Sequence, residues 1–254
     1  MKLYYRVTGH GRALILLHGL FGSGDNWYTL SKSFGEQFRT YTIDQRNHGR
    51  SPHSEVFNYE VMAEDLNELM ADHDIESASI LGHSMGGKTA MQFAAMYPGK
   101  VDRLIVVDIA LRQYPPGHDK IFEAIFRLDL RKYKTRSELE AALAPEISDL
   151  AVRQLLLKNV ERDENKRFRW KIDIDAIYQN YENVNAVITL KTSFERPTLF
   201  IRGGKSTYIS PSDLEEIRRF FPLEEVVTID GAGHWVHADA PAEFSKAVME
   251  FLSR

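Results

Sequence analysis

Residues 77–87 read Ser-Ala-Ser-Ile-Leu-Gly-His-Ser-Met-Gly-Gly, a short apolar run that leads into a serine flanked by glycines. The apolar run is typical of a buried strand, and a helical pattern begins at Met85. Gly82 and Gly86 stand two residues before and two residues after Ser84, so the backbone can turn sharply there without a Cβ clash. We therefore predict a strand, a tight turn that presents Ser84 above a sheet, and a helix.

Ser84 is the candidate nucleophile of this turn. A serine at the N-terminus of a helix lies close to free backbone N–H groups and to the positive end of the helix dipole. The N–H of the next residue, Met85, is one candidate donor for a developing oxyanion. The loop His18-Gly19-Leu20-Phe21-Gly22 follows the apolar run 13–17 and offers the second donor at Leu20. Leu20 and Met85 are thus the predicted oxyanion hole.

Short apolar runs alternate with longer helical patterns along most of the chain. Strands are expected at residues 3–7, 13–17, 38–43, 77–81, 101–107, 197–201 and 224–229. Helices are expected at residues 27–34, 59–72, 85–97, 211–220 and 241–252. This alternation predicts an α/β protein with a mostly parallel sheet that helices cover on both faces. The first two strands, joined by Gly9-His10-Gly11, are expected to form one antiparallel pair at an edge.

The stretch from residue 112 to residue 190 interrupts this alternation. It opens with Tyr114-Pro115-Pro116-Gly117 and then shows helical patterns, with one small strand at 167–171. A structureless loop of that length is implausible in a compact domain. We predict a core domain of residues 1–111 and 191–254, and a helical cap of residues 112–190 inserted after the sixth strand.

A glycine-rich stretch near the end of the chain supplies the candidate base. Gly231-Ala232-Gly233-His234-Trp235 follows the last expected strand. A histidine there can take the proton of a serine nucleophile. Three other histidines are weaker candidates, since His83 lies inside the serine turn, His48 in another loop, and His237 three residues further on. His234 is the predicted base.

The chain resembles the α/β-hydrolases. The resemblance rests on His18-Gly19, on the stretch Asp44-Gln45-Arg46-Asn47-His48-Gly49-Arg50-Ser51, on the serine turn and on the stretch around His234. It implies the α/β-hydrolase fold, in which nucleophile, acid and base follow one another along the chain in the order Ser, acid, His.

The acid of the triad departs from the most common pattern of that family. In many members it follows the second-last strand, but there this chain reads Gly203-Gly204-Lys205-Ser206, and Ser206 is not a carboxylate. Asp108 directly follows the apolar strand 101–107, where a buried charge needs a partner such as the ring N–H of the base. We assign Asp108 as the acid. Asp230 is the main alternative, and Asp213 falls inside the next helix.

A narrower resemblance is to the bacterial YbfF-type esterases. It rests on the segment 203–209, on an acid after Val106-Val107 and on the Gln-Arg-Asn-His-Gly-Arg-Ser loop. It implies a four-helix cap and a serine esterase that hydrolyses carboxylic esters, and acyl thioesters such as acyl-CoA, through an acyl-enzyme intermediate. The partner it implies is a small-molecule acyl ester or thioester.

Substrate-binding residues are harder to select from the sequence. Phe21, His83, Tyr208 and Trp235 lie next to the predicted catalytic residues and are our candidates. Aromatic residues of the cap serve packing more often than ligand binding, so they are not assigned; they include Phe122, Phe126, Trp170, Tyr178 and Tyr181.

Composition narrows the function classes. The chain has 254 residues, no cysteine and a formal net charge of −4. The acidic balance disfavours a nucleic-acid binder, and the lack of cysteine excludes disulfides, thiolate nucleophiles and cysteine-based zinc sites. With no targeting segment and no apolar run of about 18 residues, we expect a cytoplasmic protein without a membrane span. We expect no metal or cofactor, and the oligomeric state stays open.

Two alternative functions are compatible with the same candidate catalytic side chains. One is a receptor of the hydrolase fold that binds a small ligand with little turnover, and the other is a cofactor-free perhydrolase. A haloalkane dehalogenase or epoxide hydrolase is disfavoured, because those families place a carboxylate where this chain has Ser84.

Overall fold

A computed structural model describes residues 1–254, and its central element is a β-sheet. The strands in chain order are β1 (Tyr5–Thr8), β2 (Ala13–Leu17), β3 (Arg39–Ile43), β4 (Ala78–His83), β5 (Val101–Val107), β6 (Val160–Arg162), β7 (Phe168–Trp170), β8 (Thr198–Gly203) and β9 (Glu224–Ile229). Seven of them form the main sheet in the order β1-β3-β2-β4-β5-β8-β9, and β6 pairs with β7 in a separate ribbon. All pairings in the main sheet are parallel except that of β1 with β3.

Helices connect the strands. In chain order they are α1 (Tyr28–Phe34), α2 (Tyr59–Asp72), α3 (Met85–Met96), α4 (Asp119–Arg127), α5 (Arg136–Leu143), α6 (Leu150–Lys158), α7 (Ile174–Gln179), α8 (Tyr181–Asn185), α9 (Asp213–Phe220), α10 (Val236–Asp239) and α11 (Pro241–Leu252). The bounds of α2 and α11 are those expected from the sequence.

The two faces of the sheet are covered by different helices. Along β2, Ile15 and Leu17 join the buried apolar cluster that contains side chains of α2 and α3. Leu14 and Leu16 point to the other face and join the cluster formed with α1 and α11. The predicted fold class, a mostly parallel sheet covered on both faces, is confirmed.

The expected pairing of the first two strands is wrong. β1 pairs with β3, with Val7 opposite Tyr41, and β2 lies on the far side of β3. The reason is burial, because β2 is apolar throughout and belongs inside the sheet, whereas β1 carries the exposed Val7 and suits an edge.

The insert, residues 112–190, follows β5 and returns to the sheet at β8. It therefore follows the fifth strand of the chain rather than the sixth, because β1 to β5 are the strands that precede it, as many as the apolar runs before residue 112 predict. The insert contains α4 to α8 and the ribbon of β6 and β7. The small strand expected at 167–171 is present, while its partner β6 was not predicted.

Apolar side chains of the insert continue the core. Phe122, Leu139, Leu156 and Ile177 are buried in the same cluster as α2 and α3. The insert thus extends the apolar cluster that α2 and α3 form on one side of the sheet. No helix of the chain has both the length and the apolar character needed to cross a membrane.

Candidate active site

Ser84 occupies a strained turn between β4 and α3. Its φ and ψ are 53° and −118°, outside the regions that a residue with a side chain prefers, at a cost of about 1–3 kcal/mol. Gly82 and Gly86 make the turn sterically feasible. A Cβ atom on Gly82 would lie 2.1 Å from the Gly86 carbonyl oxygen, and one on Gly86 would lie 2.5 Å from that of Leu17. The turn holds Ser84 at the N-terminus of α3, as predicted.

Asp108 sits in a second strained position, directly after β5. Its φ is 52°, and its backbone N–H donates to the Ile201 carbonyl of the neighbouring strand at 2.8 Å. The carboxylate is fully buried. Its Oδ1 accepts the Gly203 N–H at 3.0 Å, and its Oδ2 accepts the hydroxyl of Ser206. These donors offset part of the cost of burying the charge.

His234 reaches this carboxylate from the loop after β9. Its Nδ1 lies 2.8 Å from Asp108 Oδ2, so the ring donates there and leaves Nε2 free to accept a proton. Tyr208 stacks on the ring with 3.8 Å between centroids and 18° between planes. His83 Nε2 lies 2.9 Å from the carbonyl oxygen of His234. His234 is thus held by three contacts: Asp108 binds its ring nitrogen, Tyr208 stacks on its ring face, and His83 binds its backbone carbonyl.

The alternative acids do not reach the imidazole. Asp213 forms an ion pair with Arg112 at 3.0 Å and accepts the N–H of Ser210 at 2.7 Å at the start of α9. Asp230 is exposed and is not a hydrogen-bond partner of His234. Among the acids considered, Asp108 alone meets the histidine.

The loop of residues 18–22 lies beside the turn. The N–H of Leu20 has no hydrogen-bond partner in the protein, and the N–H of Met85, in the first turn of α3, has none within its helix. His18 supports the loop, since its Nε2 accepts the N–H of Gln45 at 3.0 Å. Burial lowers the pKa of His18 to about 4, which keeps it a neutral acceptor.

Two cavities meet at Ser84. The Lys88 cavity, of about 420 Å³, is bordered by Met85, Lys88 and the start and end of the insert. The Trp235 cavity, of about 480 Å³, is bordered by the loop 18–22, by His83 and by the stretch that carries His234 and Trp235. Four residues border both cavities: Leu20, Ser84, His118 and Tyr208.

Comparison with known proteins agrees with this geometry. The family model described as "alpha/beta hydrolase fold" matches residues 12–241. The chain belongs to the α/β-hydrolase fold family. The resemblance seen in the sequence is thereby confirmed, and so is the prediction of a hydrolase.

Individual members of the family cover almost the whole chain. An sn-1-specific diacylglycerol lipase of Danio rerio is 37% identical over 96% of this chain and 79% of its own length. Esterase YbfF of Escherichia coli is 34% identical over 94% of this chain and 92% of its own length. The solved structure of a marine microorganism esterase has a TM-score of 0.96 and 46% identity, over 98% of this chain and 99% of its own.

The predicted substrate-binding residues of this α/β-hydrolase lie around the serine. Phe21, His83 and Trp235 border the Trp235 cavity, and Tyr208 borders both. His83 is buried and its pKa lies well below the usual value because of that burial, so it is neutral. Whether these residues contact substrate stays a prediction. Of the aromatic residues of the insert that were not assigned, Phe122 packs edge-on against Phe21 with 5.4 Å between ring centroids.

Lys88 is a site residue that the sequence did not reveal. Its side chain is buried, and its Nζ donates to the carbonyl oxygens of Arg112 at 2.8 Å, of Asn185 at 3.5 Å and of Ala186. Burial lowers its pKa to about 7. The ammonium group therefore ties the first residue of the insert to its last helix. A lysine in a helical pattern is normally solvated, so no local signal marks this one.

His118 and Tyr114 also border the site and were not predicted as site residues. Both come from the first part of the insert, where the sequence shows only a proline-glycine boundary. The hydroxyl of Tyr114 donates to the Tyr208 carbonyl at 2.5 Å and accepts the N–H of Ala110 at 2.8 Å. The insert thus contacts the segment that carries Ser206 and Tyr208.

Proposed function

We propose that this hydrolase is a serine esterase that cleaves carboxylic esters through an acyl-enzyme on Ser84. The observation that carries the proposal is the 2.8 Å contact between His234 Nδ1 and Asp108 Oδ2, in a cavity that Ser84 also borders. The names of the two relatives, an esterase and a lipase, point to the same class of substrate.

Acylation follows from the orientation of His234. With Nδ1–H donating to Asp108, Nε2 takes the proton of the Ser84 hydroxyl as its oxygen attacks the ester carbonyl carbon. The C=O π bond opens and the oxygen becomes an oxyanion, which accepts the N–H groups of Leu20 and Met85. Asp108 stabilises the imidazolium. When the tetrahedral intermediate collapses, the C–O bond to the leaving group breaks and His234 returns the proton to the leaving oxygen.

Deacylation follows the same steps, with water as the nucleophile in place of the Ser84 hydroxyl. His234 Nε2 takes a proton from water, whose oxygen attacks the carbonyl carbon of the acyl-enzyme. Collapse breaks the bond to the Ser84 oxygen, which receives the proton from His234. The products are a carboxylic acid and the free enzyme. The same steps cleave a thioester with a thiol as the leaving group, so acyl thioesters, including acyl-CoA, are a second substrate class.

The two cavities divide the substrate between them. His234 borders the Trp235 cavity and must reach the leaving oxygen, so this cavity takes the alcohol portion. The Lys88 cavity also borders Ser84 and is the remaining space, so it takes the acyl chain. Phe21, His83, Tyr208 and Trp235 are accordingly substrate-binding residues, mostly on the alcohol side.

The insert acts as the cap of this site. We assign residues 1–111 and 191–254 to the catalytic core and residues 112–190 to the cap. His118, Tyr114 and Arg112 of the cap close the Lys88 cavity, and residues of α6 border the Trp235 cavity. A cap in this position limits access of water and of bulky substrates to Ser84.

Turnover of short p-nitrophenyl esters tests the proposal. Wild-type protein should hydrolyse them, and Ser84→Ala should lose about 10⁴- to 10⁶-fold in kcat while folding normally. Binding without turnover in the wild type would instead favour the receptor alternative. Near-normal turnover in a folded Ser84→Ala variant would show that another residue is the nucleophile.

A further inference from the structure

His118 meets Tyr181 across the cap. Its ring Nδ1 lies 2.5 Å from the Tyr181 hydroxyl oxygen. The same oxygen lies 3.1 Å from the backbone N–H of Gly117 and 3.1 Å from that of His118. Tyr181 is buried, and its ring packs edge-on against Phe122 with 5.0 Å between centroids. The contact is therefore held by α8, by α4 and by the turn that precedes α4.

Counting protons at this hydroxyl fixes the tautomer of His118. A tyrosine hydroxyl has one proton to donate and accepts through its oxygen lone pairs. Two backbone N–H groups already donate to Tyr181, so its own proton goes to the remaining partner, His118 Nδ1. That nitrogen is then an acceptor, and the single proton of the neutral ring sits on Nε2. Burial lowers the pKa of His118 to about 4, so the ring is neutral at physiological pH.

The Nε2–H of His118 is free to meet a ligand. It has no hydrogen-bond partner within the protein and is not enclosed by protein atoms. His118 borders both cavities, together with Ser84, Leu20 and Tyr208. The edge of Phe21 lies against the ring, 5.9 Å between centroids. The ring that carries this unpartnered donor thus lies where the acyl and alcohol cavities join.

One atom of an ester fits that position. When the carbonyl carbon of the ester lies at Ser84, its carbonyl oxygen accepts hydrogen bonds from the N–H groups of Leu20 and Met85. The atom that joins the acyl and alcohol portions is then the alkoxy oxygen, which lies where the two cavities meet. It carries two lone pairs, so it can accept one hydrogen bond and also receive the proton from His234.

We propose that the Nε2–H of His118 donates a hydrogen bond to the alkoxy oxygen of the bound ester and so favours oxygen esters over thioesters. The inference rests on the proposed serine esterase function. The bond strengthens as the leaving oxygen gains negative charge. A thioester presents sulfur at this position, and sulfur is a weak acceptor. Tyr181 acts as the positioning residue, because its hydroxyl keeps the proton on Nε2.

The test uses a matched pair of substrates, phenyl butyrate and S-phenyl thiobutyrate, which differ in one atom. His118→Phe should lower kcat/KM for the ester about 10- to 100-fold, the loss expected for one hydrogen bond to a developing charge. The thioester should change less than about threefold. Tyr181→Phe, which lets the proton move to Nδ1, should shift the ester-to-thioester ratio in the same direction by a smaller factor.

Two further variants separate this effect from general damage. His53→Phe changes an exposed histidine whose Nε2 contacts the Lys171 carbonyl at 3.1 Å outside both cavities, and it should leave both rates unchanged. Tyr208→Phe removes a hydroxyl group from another residue that, like Ser84, borders both cavities, and it should leave the ratio of the two rates unchanged whether or not both rates fall.

The outcomes are distinct. An equal loss on both substrates in His118→Phe would give the residue a structural role only and overturn the inference. So would a shift of the ratio in Tyr208→Phe but not in His118→Phe. If circular dichroism shows that His118→Phe is misfolded, the ratio in Tyr181→Phe decides. A folded Ser84→Ala variant that cleaves both substrates would instead refute the proposed function.

Discussion

Ser206 donates its hydroxyl proton to the same carboxylate oxygen of Asp108 that accepts the ring N–H of His234. Ser206 lies after β8, where many α/β-hydrolases carry the triad acid, and Asp108 lies after the adjacent strand β5. The two strand ends therefore converge on one point beside the histidine. In this chain the carboxylate comes from the first strand, and the second supplies a donor that helps to keep it ionised.

Asp108→Asn should lower kcat about 10³- to 10⁴-fold, because an asparagine amide at this position favours the wrong tautomer of His234. Asp213→Asn is the matched control, since Asp213 is bound to Arg112 and Ser210 rather than to the histidine. Its kcat should stay within about tenfold of wild type. Rates with a p-nitrophenyl ester compare the two. Full activity in Asp108→Asn would refute the assignment of Asp108 as the acid.

Because the ends of β5 and β8 converge, a carboxylate placed after β8 should restore part of the activity that Asp108→Asn loses. Adding Ser206→Asp to Asp108→Asn places a carboxylate beside the oxygen position that His234 Nδ1 now contacts at 2.8 Å. The double variant should recover part of the lost rate, about tenfold or more over Asp108→Asn alone. Without recovery, the loop after β8 cannot present a carboxylate within hydrogen-bond distance of the ring.

The serine turn should not tolerate a side chain at Gly86. An added Cβ atom would lie 2.5 Å from the Leu17 carbonyl oxygen and 2.6 Å from that of His18, both backbone atoms. Gly86→Ala should lower the free energy of unfolding by about 1–3 kcal/mol. Gly99→Ala is the control, because no atom lies within 4 Å of its added Cβ. Urea denaturation measures both, and equal stability of the two variants would contradict this account of the turn.

Lys88 should make the stability depend on pH. Its pKa is lowered to about 7 in the folded protein, from an ordinary value of 10.5. Between these values the unfolded chain binds more protons than the folded one, so the free energy of unfolding rises with pH. Each unit of difference between the two pKa values corresponds to at most about 1.4 kcal/mol in the free energy of unfolding.

Lys88→Met removes this titration. The stability of the wild type relative to Lys88→Met should increase as pH rises from 7 to 10 and stay constant below pH 7. Urea denaturation at a series of pH values measures the difference. A difference that does not change with pH would mean that the three carbonyl oxygens around the ammonium restore its ordinary pKa.

Local patterns in the sequence were enough to predict most of the fold and to select Ser84, Asp108 and His234 as candidate catalytic residues. The spacing of Gly82, Ser84 and Gly86 follows from the steric needs of one turn, so it can be recognised without the rest of the chain. Asp108 was recognisable because a charged residue at the end of an apolar strand needs a partner. Helices with clear periodicity, such as α2 and α11, were placed with their observed bounds.

The features that were missed depend on distant contacts. The position of β1 depends on its competition with β2 for the place inside the sheet, which neither strand shows alone. Lys88 is bound by carbonyl groups 24 and about 98 residues away along the chain. His118 and Tyr181 are 63 residues apart, and neither occurs in a recognisable motif.

Covalent labelling tests the central claim, that Ser84 is a nucleophile activated by His234. An ordinary serine hydroxyl reacts poorly with a fluorophosphonate, whereas one beside a catalytic base reacts readily. Intact-mass analysis after labelling should show one adduct per chain, and peptide mapping should locate it on Ser84. Labelling should be abolished in Ser84→Ala and strongly slowed in Asp108→Asn. An adduct on Ser206 or on another residue, or no adduct in a protein that hydrolyses esters, would contradict the account.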